Sequence, residues 1–118
     1  FAASLAVRYH ARVTLLCVYE MGGQGGGAPS REGKWTVEAA QTHVADLALR
    51  LSDMGVGEVE TNLVEGPAPN VILGVAESVK PDLIVVGARG SGTWLGQTLG
   101  SVSMAVVQRA ECAVLVVK

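Results

Sequence analysis

The chain has 118 residues, enough for one domain, and 49% of them are hydrophobic with only 4% aromatic. Nine Lys and Arg against eleven Asp and Glu give a net charge of −2, with no basic cluster, which argues against a nucleic-acid surface. No apolar run approaches the ~20 residues that a membrane-spanning helix needs. The two cysteines, Cys17 and Cys112, have no Cys or His at ligand spacing, so they read as reduced, buried thiols.

Residues 1–10 read as the end of a helix, with Phe1, Leu5 and Tyr9 at four-residue spacing. The opening residues are apolar but lack a basic start and a cleavage site, so they are read as helix rather than leader. Arg12 to Tyr19 is a near-continuous apolar run and predicts a strand buried on both faces. Residues 21–35 are rich in glycine and predict a flexible loop. A helix begins near Thr36, with Val37, Ala40, Val44, Leu47 and Leu51 on one face and Glu38, Gln41, Thr42, Asp46 and Arg50 on the other. Gly55 and Gly57 are expected to end it. Val59 to Val64 predicts a short strand. Ala68 to Val79 predicts a helix burying Val71, Ile72, Val75, Ala76 and Val79, and Pro81 stops it. A strand over 82–87, a loop over 88–100, a helix over 101–110 and a strand over 113–117 complete the chain. This alternation implies a parallel sheet with right-handed crossovers.

The chemistry concentrates between the last two strands. Gly87-Ala88-Arg89-Gly90 is followed by nine residues and then Gly100-Ser101-Val102-Ser103. A strand, a glycine-rich loop and a helix start make an anion pocket: glycines let backbone approach a ligand or adopt positive φ, and open N–H groups at the positive end of a helix favour phosphate. Each residue also has a plain reading. Gly87 serves equally as a strand-to-loop turn, Ser101 and Ser103 as ordinary caps, and Arg89 as a solvated charge. Gly27 to Lys34 is not a P-loop, because five residues separate Gly27 from Gly33 and Trp35 follows the lysine. Trp94, in the loop, reads as a packing residue or a base-stacking one, and Trp35 as a packing anchor. His10 and His43 have no metal-ligand spacing.

The spacing Gly-x2-Gly-x9-Gly-Ser, with Glu65-Gly66-Pro67-Ala68 and Lys80-Pro81-Asp82-Leu83-Ile84-Val85-Val86-Gly87 upstream, resembles the ATP-binding branch of the universal stress protein family. The likeness covers essentially the whole chain as a single domain. It implies a three-layer α/β/α sandwich with an open parallel sheet of the adenine nucleotide alpha-hydrolase kind, in strand order 3-2-1-4-5. In that order a first, central strand precedes the opening helix, and we expect it upstream of residue 1, ending in an aspartate that contacts the nucleotide. The resemblance further implies that Gly87 and Gly90 let the backbone pass under the ligand. It sets Arg89 at the ribose or a phosphate, has Gly100, Ser101, Val102 and Ser103 wrap the phosphates, and puts Val18 near the adenine. Val86, beside the loop entrance, is a second candidate there, although both valines read equally well as core.

The ligand expected is ATP, with Mg²⁺ available to the upstream aspartate. Between Val86 and Ser103 there is no Lys, His, Asp or Glu, so hydrolysis is expected to be slow or absent. The resemblance also implies a cytoplasmic homodimer paired through the edge strand Ala113–Val117, acting as a stress-response regulatory module. A dimerisation domain that binds no nucleotide, within a larger protein, is the alternative.

Overall fold

A computed structural model describes residues 1–19, 37–88 and 100–118. The loop over 21–35, Trp35, Arg89, Gly90 and Trp94 therefore lie outside the described residues. Eight elements alternate as expected: α1 (Ala2–Tyr9), β1 (Arg12–Tyr19), α2 (Val37–Asp53), β2 (Glu58–Glu65), α3 (Ala68–Val79), β3 (Leu83–Gly87), α4 (Ser101–Arg109) and β4 (Ala113–Val117).

The strands pair in two parallel ladders, β1 with β2 and β3 with β4. Arg12 stands opposite Glu58 and Tyr19 opposite Glu65, while Leu83 stands opposite Ala113 and Gly87 opposite Val117. These are the neighbours that the order 3-2-1-4-5 leaves when its central strand is set aside. Among the described residues no strand joins the two ladders. They are bridged instead by α3, which lies against both β1 and α4.

Helices cover the strands because each has one apolar stripe to bury. On α2, Ala40 and Val44 are buried and Val37, Leu47 and Leu51 half-buried, while Glu38, Gln41, Thr42, Asp46 and Arg50 face water, as the periodicity predicts. Ala3 and Ala6 of α1 pack with Val56 into a small core, against Val13, Leu51 and Val59. The cap of α2 is made by Gly55 (φ 103°), whose N–H donates to the Ser52 carbonyl, and by Val56, whose N–H donates to Leu51. Gly57 takes no part, so the expectation that both glycines end the helix holds for Gly55 alone.

Two further expectations are corrected. Val79, placed inward on α3, is 42% exposed, because it sits in the last turn, where the chain leaves through Lys80. The cysteines are free but only half-buried: Cys17 lies within β1, and Cys112 precedes β4.

Candidate functional site

The site is built where β3 hands over to α4. The β3–β4 ladder continues one step past β3, with the Ala88 N–H donating to the Val117 carbonyl at 2.8 Å. The Ala88 carbonyl accepts from the Gly100 N–H at 2.7 Å. The Ser103 hydroxyl donates to the Gly87 carbonyl. Both ends of the stretch between Ala88 and Gly100 are thus fixed to the carboxyl end of the ladder, the edge at which parallel sheets bind ligands.

Gly100 is the N-cap of α4, in extended backbone (φ −64°, ψ 163°), and its carbonyl accepts the first helical bond, from Met104 at 2.9 Å. The N–H groups of Ser101, Val102 and Ser103 fall in the first turn, where a helix offers no internal acceptor. They are the donors a phosphate would meet, with the positive end of the helix dipole behind them. Among the described residues only Gly55 and Gly66 are glycines at positive φ. Gly100, at negative φ, is buried with its N–H on the Ala88 carbonyl.

The neighbouring helix start is poorer in donors. The N-cap of α3 is Pro67 and its second helical residue is Pro69, leaving the Ala68 and Asn70 N–H groups before Val71 bonds back to the Pro67 carbonyl at 3.0 Å. This turn is anchored to β1 by the Gly66 N–H, which donates to the Tyr19 carbonyl at 2.9 Å.

Of the residues singled out from the sequence, Val86, Gly87, Gly100, Ser101, Val102 and Ser103 come together around the β3–α4 junction. Val86 is half-buried opposite Val116, and Gly87 is exposed. Val18 is half-buried opposite Val64 in the other ladder, two residues from the Gly66 anchor in register. The two serines are not equivalent: Ser101 is exposed, whereas Ser103 is 5% exposed and its hydroxyl is committed to Gly87. The resemblance has both serines wrap the phosphates. Their spacing carries a warning, since residues two apart on a helix point about 200° apart.

Burial pushes the thiol of Cys17, next to Val18, above its ordinary pKa and keeps it protonated at neutral pH. Among the described residues there is no group of three or more His, Cys, Asp or Glu placed to hold a metal ion, and no helix is long and apolar enough to cross a membrane.

Alternating helices and parallel strands give the chain the adenine nucleotide alpha-hydrolase-like fold of its structural neighbours. The universal stress protein family model matches residues 1–118, and the chain belongs to that family. It is 36% identical over 98 residues to a universal stress protein of Methanocaldococcus jannaschii, an alignment covering 78% of this chain and 56% of that one. The chain spans about half the length of the curated relatives it matches. Among solved structures, a universal stress protein in complex with cAMP superposes with a TM-score of 0.74 at 26% identity, over 98% of this chain and 80% of the other. A universal stress protein family member from Arabidopsis thaliana with AMP bound superposes with a TM-score of 0.66 at 25% identity, over 99% and 75%.

Proposed function

We propose that this chain binds an adenine nucleotide at the carboxyl end of β3, with the phosphates against the first turn of α4. The observation that carries the reading is the anchored junction: Gly100 and Ser103 are tied to Ala88 and Gly87, and the first-turn N–H groups of Ser101 and Val102 have no acceptor among the described residues. The cAMP and AMP bound by structural neighbours of the same family support the ligand class. Within that class we assign ATP, with Mg²⁺ on the phosphates, as the natural ligand. The first turn of α4 supplies N–H donors to more than one phosphate oxygen, and Arg89 of the intervening loop adds a cation. Val18 and Val86 supply apolar surface to the base, and Gly87 and Gly90 let the backbone pass under the ligand. The module is regulatory and cytoplasmic, and it works as a homodimer through β4. The stretch from Gly87 to Ser103 contains no acid or base to activate water, so bound nucleotide is held rather than turned over.

Isothermal titration of the chain with ATP, AMP and cAMP, with and without Mg²⁺, tests this. A dissociation constant for ATP below about 100 μM, equivalent to about 5.5 kcal/mol, is expected, with turnover below about 1 s⁻¹. Absence of binding by all three nucleotides at millimolar concentration overturns the reading and leaves the dimerisation module.

A further inference from the structure

We propose that Ser103 is a positioning residue, and that its hydroxyl aims the open N–H groups of α4 at the phosphate without touching the ligand. The inference rests on the nucleotide reading above and assigns the two serines of the helix start different work. Ser103 is 5% exposed, and its hydroxyl donates to the carbonyl of Gly87, the last residue of β3. One turn further along the same face, Val106 is fully buried. The inner face of α4 is therefore held at two successive turns, by a hydrogen bond and by an apolar anchor.

The bond from Ser103 runs beside the one from the Gly100 N–H to the Ala88 carbonyl. One link fixes how far the helix start stands from the strand end. Two links, to consecutive carbonyls, also fix its rotation about its own axis. Rotation decides where the first-turn N–H groups point, and donor direction governs the strength of a hydrogen bond steeply. Without the hydroxyl, the Gly87 carbonyl loses this partner and the first turn is held only by the Gly100 link and the Val106 anchor one turn on, which leaves its rotation less tightly set. Ser101, on the outer side and exposed, keeps its hydroxyl available to a ligand.

The test measures AMP and adenosine binding by titration calorimetry on the wild-type chain and on Ser103→Thr, Ser103→Val, Ser103→Ala and Ser101→Ala, with thermal unfolding of each. Thr and Val have nearly the same volume and differ in the hydroxyl, so this pair isolates the bond even if Ser103→Ala folds poorly. Ser103→Thr is expected to bind AMP as the wild type does. Ser103→Val and Ser103→Ala are expected to bind AMP about tenfold more weakly while binding adenosine unchanged, because only the phosphate reads the aim of α4. Ser101→Ala is expected to weaken AMP with no change in unfolding temperature. Equal AMP affinity in Ser103→Val and Ser103→Thr overturns the inference, as does a parallel loss of AMP and adenosine, which marks a purely structural role. A wild-type chain that binds neither ligand overturns the nucleotide reading itself, and the inference with it.

Discussion

At the scale of single residues, Gly66 carries a tight steric constraint at the carboxyl edge. Its φ of 144° is open to glycine and rarely to other residues, and a Cβ there would stand 2.9 Å from Cγ2 of Val71. Val71 is in the first turn of α3, so the clash would push that helix start away from β1, to which the Gly66 N–H ties it. Gly66→Ala is expected to cost about 1–3 kcal/mol, read as a lower urea midpoint at unchanged m-value. Gly57 serves as the control, since a Cβ there meets nothing within 4 Å. A Gly66→Ala chain as stable as Gly57→Ala would refute the constraint. The residue scale is also where the sequence was hardest to read. The motif names Gly87, Gly100, Ser101 and Ser103, but not that one serine faces water and the other a backbone carbonyl.

At the scale of elements, the helix ends differ in how they are closed. Among the described residues the start of α4 has no side-chain cap and the start of α3 is depleted of donors by Pro67 and Pro69, which favours α4 for the proposed phosphate end. At the other end, α3 closes on Lys80 in the left-handed region (φ 51°), with its N–H on the Ala76 carbonyl at 2.8 Å. A Cβ is strained there, and the following Pro81 restricts the backbone further. Lys80→Gly is expected to stabilise the chain by about 0.5–1 kcal/mol, measured by urea unfolding. A loss of stability would show that the Lys80 side chain contributes more than its backbone costs. Element boundaries were largely legible beforehand. Arg12–Tyr19, Ala68–Val79 and Ala113–Val117 were read in full, because Pro, Gly and the change from continuous to 3.6-residue apolar spacing mark their limits.

At the scale of the whole molecule, the four strands of the described residues form two ladders, and among those residues β4 is paired on one side only, by β3. The Val117 carbonyl faces β3, since it accepts from Ala88, and strand alternation then turns the N–H groups of Val114 and Val116 toward the open edge. The proposed homodimer uses those groups. Val116→Pro removes an outward donor and spares the ladder to β3, a substitution edge strands tolerate. It is expected to halve the mass seen by light scattering while keeping the helical circular dichroism. A dimer that survives it places the interface elsewhere.

The sequence by itself determined the order of elements, the parallel α/β class and the glycine-bounded junction, because each depends on local spacing: apolar period, breaker residues and the interval from Gly87 to Gly100. The pairing of the strands as two ladders follows from the expected order with its first strand upstream; only the tertiary structure decided that α3 lies against both β1 and α4, that Gly55 alone closes α2, and that Ser103 is spent on Gly87 while Ser101 stays exposed. Those outcomes rest on contacts between segments far apart in the chain and on the rotation of a helix about its axis, which residue spacing constrains but does not fix.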